Sequence, residues 1–228
     1  MELPSVAPLR REPPPPTSED SPVNFRKLSR VKRLPSSTSK LGLLIYDLET
    51  YATGFSDPAW VPQVITCVAW KWMGKPETYV EASIDYAEPW CMPHLQREAI
   101  LRMLEPFLAA LDQASSVVTY NGKRFDQPVL NGSMFYVGLP PIGEMKVYDL
   151  HDFGKTKGLK RGLDNLAIHL GAVESKLSMN HAEWTEGYLE PWWSTIKERA
   201  ASDVRLTEEV YHLKEELGWL KSPKVWTP

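Results

Sequence analysis

The chain has 228 residues, 43% of them hydrophobic, enough apolar material to close one substantial core but little chain to spare for a second domain. Its net charge of −3 excludes a polycation that holds nucleic acid by bulk charge, so any such contact has to be local. Two cysteines, Cys67 and Cys91, give neither a disulfide framework nor the paired thiols of a zinc site, and no apolar run nears the roughly 18 residues of a membrane helix.

Residues 1–40 read as a disordered tail. Pro13 to Pro16 form a proline run, Ser and Thr are frequent, and RKLSRVKR at 26–33 gathers basic residues. Such composition buries too little apolar surface to offset the entropy of ordering, and prolines stand where a signal peptide needs an apolar stretch. A soluble, cytoplasmic protein is expected. The tail carries eight Lys or Arg against four acids, a net +4 that leaves −7 for the remainder. That asymmetry fits either an attraction for nucleic acid or an acidic partner, or a solvated linker.

From Leu41 the texture changes. GLLIYDLE, QVITCVAWKW at 63–72 and Thr78 to Ala82 read as three strands of an antiparallel meander. HLQREAILRMLEPFLAALDQA at 94–114 has helical spacing, with a kink or break expected at Pro106. SVVTY at 116–120 is a strand, Phe125 to Val137 a short helix, MKVYDL a strand, and GLDNLAIHLG a helix stopped by Gly171. A long helix covers roughly Trp192 to Leu217. The order predicts an α/β fold, a mixed five-stranded sheet with helices packed on it.

Three groups of residues stand out for chemistry. Asp47 and Glu49 lie two apart at the end of the first strand, so both carboxylates leave the same face. Two acids aimed at one point repel unless a cation or proton sits between them; the alternative is a strand that ends in acids facing water. In YNGKRFDQPVL, Asn121-Gly122 forms a tight turn and Asp126 falls in the first turn of the following helix, a position the helix dipole favours with or without chemistry. On the long helix, Ile196, Ala200, Leu206, Val210, Leu213 and Leu217 trace an apolar stripe in which Asp203 is embedded. A core-facing acid costs several kcal/mol unless it is paired or metal-bound.

LIYDLET at 44–50, YNGKRFDQPVL at 120–130 and ASDVRLTEEV at 201–210 resemble, in that order, the three motifs of the DEDD-type (DnaQ-like) 3′–5′ exonucleases. The second is similar to the N-G-x-x-F-D form of predicted exonucleases related to polymerase-B proofreading domains. The resemblance covers Leu41 to about Leu220 and implies a ribonuclease-H-like sheet in a catalytic domain at 41–228. It implies further that Asp47, Glu49, Asp126 and Asp203 hold two Mg²⁺ or Mn²⁺ ions at the 3′ end of single-stranded nucleic acid. By the same analogy Thr50, Asn121 and Phe125 border the terminal nucleotide, although Phe125 reads equally as core. Lys123 and Arg124 either reach phosphate or are solvated.

One position departs from the family, which places a Tyr four residues, or a His five residues, before the last acid to orient or deprotonate the attacking water. Arg199 and Glu198 stand there. Arginine stays protonated and cannot act as a base. Three explanations stay open: Glu198 substitutes as the base, His181 or Tyr188 swings in, or the enzyme is slow or inactive. Lys155, Lys157, Lys160 and Arg161 form a further basic patch for backbone phosphates or a solvated loop. Asp149 and His151 lie near a strand end as second-layer groups or structural ones, and Trp184, Trp192 and Trp193 either stack on bases or pack. The leading expectation is a DNA exonuclease in replication or repair, partnered with a polymerase or replication complex. An RNA-trimming enzyme or a weakened nucleic-acid-binding protein are the alternatives.

Overall fold

Short runs rich in β-branched and aromatic residues pair into a single sheet in the computed structural model, which describes residues 40–50, 64–87, 96–152, 162–177 and 193–228. Its strands are β1 (Gly42–Thr50), β2 (Ile65–Trp72), β3 (Tyr79–Ala82), β4 (Ala114–Thr119), β5 (Met145–Asp149) and β6 (Lys224–Trp226), in the order β3-β2-β1-β4-β5-β6. The first three form the expected antiparallel meander, β4 and β5 continue the sheet in parallel, and β6 closes the edge antiparallel to β5. The sheet thus has six strands where five were expected. At three residues, β6 is too short to show an alternating pattern, and only its pairing with Met145 to Val147 identifies it.

Four helices flank the sheet among the described residues: α1 (Arg97–Gln113), α2 (Asp126–Val137), α3 (Leu163–Leu170) and α4 (Trp193–Glu216). Strand β1 divides its side chains by parity. Leu44, Tyr46 and Leu48 enter a core with Met103, Leu104, Phe107, Leu130 and Met134 of α1 and α2. Ile45 faces the opposite core, shared with Leu166 of α3 and Ile196, Ala200 and Val204 of α4. Odd-numbered positions of β1 therefore point under α4, which decides where Asp47 and Glu49 must lie.

Two helical expectations need correction. Of the kink or break expected at Pro106, the break does not occur: helix α1 continues through it. Pro106 is exposed while Met103, Leu104 and Phe107 are buried, so burial on the sheet side outweighs the lost backbone bond on the solvent side. In α4 the apolar stripe ends at Val210 and Tyr211, and Leu217 is exposed. The buried position beyond is Lys214, whose ammonium donates to the carbonyl of Leu150 at 3.0 Å. Gly171 ends α3 as expected, in the left-handed conformation at φ 76°. Among the described residues no helix is long and apolar enough to cross a membrane.

Candidate metal centre and cleft

Because β1 alternates, Asp47 and Glu49 extend the row begun by Ile45 toward α4, and Asp203 descends from that helix to meet them. One carboxylate oxygen from each of the three lies within 4.8 Å of the others. At that spacing and an effective dielectric of ~20, each pair of full negative charges repels by at least about 3 kcal/mol. Asp203 is only 2% exposed, as its place on the apolar stripe predicted. A register shift between Glu49 and Thr50 bends the end of β1, and the Thr66 hydroxyl donates to the Glu49 carbonyl at 3.2 Å across that bulge.

Asp126 arrives by another route. After β4 the chain turns at Asn121, which adopts the left-handed conformation at φ 65°. Gly122 follows in contact so close that a Cβ would lie 2.2 Å from the Thr119 hydroxyl oxygen. The turn is held by Asp149 at the end of β5. Its carboxylate accepts from the backbone amides of Asn121 (2.8 Å), His151 (3.0 Å) and Lys123 (3.3 Å). Asp149 is thus a structural organiser of the second motif, one of the two roles its sequence position left open. Asp126 then opens α2 only 3% exposed, lining the same cleft as the other three acids.

The electrostatics follow from burial and crowding. Burial, then Glu49 and Asp203, push the Asp47 carboxyl well above its ordinary range, against the pull of Lys176 and Arg199. Glu49 is pushed up to about 7 by burial, with Arg199 opposing. Asp126 is raised by burial and then by Asp47, while the backbone amides of Asp126 and Leu48 favour its charged form. Two cations answer the acids directly. Arg199 Nε donates to Glu49 Oε1 at 3.1 Å, and Lys176 Nζ to Asp203 Oδ2 at 2.6 Å. Asp203 Oδ1 is buried with no hydrogen-bond partner among the described residues.

A cleft of about 300 Å³ opens over this group, lined by Asp47, Glu49, Asp126 and Asp203 together with Asn121, Phe125, Tyr120, His151, Lys176 and Arg199. The four acids of the motifs thus share one cavity, three of them in a tight cluster. Phe125 is 38% exposed at the cleft, so it is not core. Thr50 lies past the bulge and does not line the cavity.

Other expected site residues fall elsewhere. Lys123 lines a small recess with Asp152, Lys214 and Lys224 and is not among the residues lining the cleft. Glu198 does not reach the cleft and pairs with Arg205 at 2.7 Å. Arg199, four residues before Asp203, lies on the acid's face of α4 and does line the cleft. Trp193 packs in the core and is not a stacking surface. The tail, the patch from Lys155 to Arg161, His181, Trp184, Tyr188 and Trp192 lie outside the described residues. Sequence reasoning did not flag Lys176. It sits in an irregular segment after α3, where no periodicity marks it, and only the need of buried Asp203 for a partner could have pointed to a nearby base.

The RNase_H_2 family model, described as the RNase_H superfamily, matches residues 44–212. No curated protein sequence matches the chain. Among solved structures, the family B DNA polymerase of the hyperthermophilic archaeon Pyrobaculum calidifontis is similar in fold, with a TM-score of 0.58 at 19% identity. That similarity covers 77% of this chain and 24% of the polymerase, so this chain spans about a quarter of the polymerase's length. The span matched by the family model runs from β1 through most of α4 and contains all four carboxylates: the chain belongs to the RNase_H superfamily.

Proposed function

We propose that residues 41–228 are a metal-dependent 3′–5′ exonuclease domain acting on single-stranded nucleic acid, DNA above all, in a proofreading-like role in replication or repair. The observation that carries this reading is the convergence of Asp47, Glu49, Asp126 and Asp203, from three segments far apart in sequence, on one cleft beside the ends of parallel strands β1 and β4. The fold shared with a family B DNA polymerase supports action beside a polymerase at a DNA 3′ end. Residues 1–40, with their basic cluster, serve as a tail to this domain.

The residues fit Mg²⁺ or Mn²⁺ on two counts. The donors are hard carboxylate oxygens, and buried Asp203 Oδ1 is an acceptor whose hydrogen bonding is unmet among the described residues. When bound, such a cation supplies a Lewis acid for the phosphodiester and acidifies water. Asp47, Glu49, Asp126 and Asp203 hold it. Phe125, exposed at the cleft, offers a ring for the terminal base to stack on, and Asn121 beside it offers an amide for hydrogen bonding. Glu198 pairs with Arg205 instead, which leaves His151 as the imidazole in the cleft wall beside the acids. Its ring packs edge-on against Tyr120, with centroids 5.6 Å apart.

The test uses single-stranded DNA and RNA oligonucleotides labelled at either end, incubated with the full chain and Mg²⁺ or Mn²⁺ beside Asp47→Asn and Asp203→Asn. A ladder from the 5′-labelled strand, mononucleotide from the 3′-labelled one, and loss of both in folded variants are expected. Cleavage unchanged by Asp47→Asn would remove the site assignment. Retained binding of single strands without cleavage would instead favour the nucleic-acid-binding alternative, and faster trimming of RNA the RNA one.

A further inference from the structure

We propose that Lys176 and Arg199 take the place of one divalent cation, so that this cleft binds a single Mg²⁺ or Mn²⁺ ion where the family resemblance implies two. The inference rests on the carboxylates being a metal site and concerns how many ions that site accepts.

The charges in the cleft wall set the count. Among the described residues lining the cavity there are four carboxylates and two cations, Lys176 and Arg199. Fully ionised, they leave two negative charges. One divalent ion neutralises that remainder; a second would leave two uncompensated positive charges in a largely buried group, and transferring unpaired charge out of water is costly.

Geometry makes the two side chains fixtures of the site. Arg199 reaches inward from one turn before Asp203, on the same face of α4. Its Nε donates to Glu49 Oε1 at 3.1 Å, and its Nη1 donates to the Leu177 carbonyl at 2.7 Å. A planar guanidinium held at two points, always charged and 13% exposed, is costly to displace. Lys176, the residue before that carbonyl, donates to Asp203 Oδ2 at 2.6 Å and is 25% exposed. Together they occupy one oxygen each of Glu49 and Asp203. Buried Asp203 Oδ1 stays open to a ligand, with the carboxylates of Asp47 and Glu49 within reach. The pairing also explains why the position that in the family carries a water-orienting Tyr can hold an Arg here: the side chain serves the acids rather than the water.

Binding stoichiometry tests this directly. Mn²⁺ is titrated into the full chain by calorimetry and by loss of the free-ion electron paramagnetic resonance signal, with no nucleotide present to add phosphate charge to the cleft. One ion per wild-type chain is expected. Lys176→Gln combined with Arg199→Gln is expected to bind two, and Arg199→Lys alone to stay at one because the charge is kept. Thermal unfolding confirms that each variant is folded; should the double variant fail to fold, Lys176→Gln alone is expected to raise the stoichiometry above one. Two ions on the wild type, or one ion on every folded variant, would overturn the inference. No ion on the wild type or any variant would instead overturn the metal-site reading beneath it.

Discussion

Replacing Gly122 by alanine tests the turn that delivers Asp126. An added Cβ would stand 2.2 Å from the Thr119 hydroxyl oxygen, 2.6 Å from Thr119 Cβ and 2.9 Å from Gln127 Oε1. Rotating the Thr119 side chain removes the first contact but not the second, because its Cβ is fixed to the backbone of β4. Thr119 and Gln127 are both fully buried, so the turn itself has to open. Overpacking of this kind costs about 1–3 kcal/mol, which in a domain of this size lowers Tm by about 3–10 °C. Gly132 provides the matched control. It lies within α2, where a Cβ would meet nothing within 4 Å, and Ala there should add up to about 1 kcal/mol by helix propensity. Thermal and urea unfolding of the two variants should therefore move in opposite directions. A Gly122→Ala protein as stable as the wild type would refute the packing argument, and with it the claim that this turn fixes Asp126.

Two further outcomes follow from buried charge. Glu49 holds its proton to about 7 in the folded chain against 4.5 ordinarily. Its contribution is therefore present below about pH 4.5 and lost as pH rises to about 7, at most about 3 kcal/mol. In chelator, Tm should fall between pH 5 and 7.5, and fall less for Glu49→Gln; equal slopes in a differential scanning series would contradict this. On the sheet, buried Lys71 of β2 pairs with Glu208 of α4, which also accepts from the Gly74 amide at 2.7 Å. Glu208→Ala strands the lysine and should cost about 3–5 kcal/mol, whereas Lys71→Met, which leaves Glu208 its amide and some water, should cost much less. Urea titration ranks the two, and the reverse order would sink the reasoning.

What could be read from the sequence was whatever repeats along an element. The alternation of Ile45, Asp47 and Glu49 placed both acids on one face, and the spacing of Ile196 and Ala200 buried Asp203; both features are local. Strand β6 escaped notice because three residues carry no period. Lys176 escaped because its pairing with Asp203 joins an irregular segment to a helix, and nothing in either stretch specifies the approach. Glu198 is drawn to Arg205, a pairing on the exposed side of α4 that the motif spacing does not reveal. Lys123 lies in a recess with Asp152, Lys214 and Lys224, an approach of distant segments that no local pattern specifies. Phe125, ambiguous as a residue type, was settled by exposure alone.

The carboxylate cluster also has a consequence in time. Asp47 and Glu49 are fixed by sheet pairing early in the chain, but Asp203 reaches them only when α4 packs across β1 and β2. As the chain emerges during synthesis, every intermediate that lacks a docked α4 carries two crowded acids and none of the enclosure that gives them purpose. The centre is therefore completed only once α4 has been made, more than 140 residues after β1, and a molecule without that helix has no closed cleft.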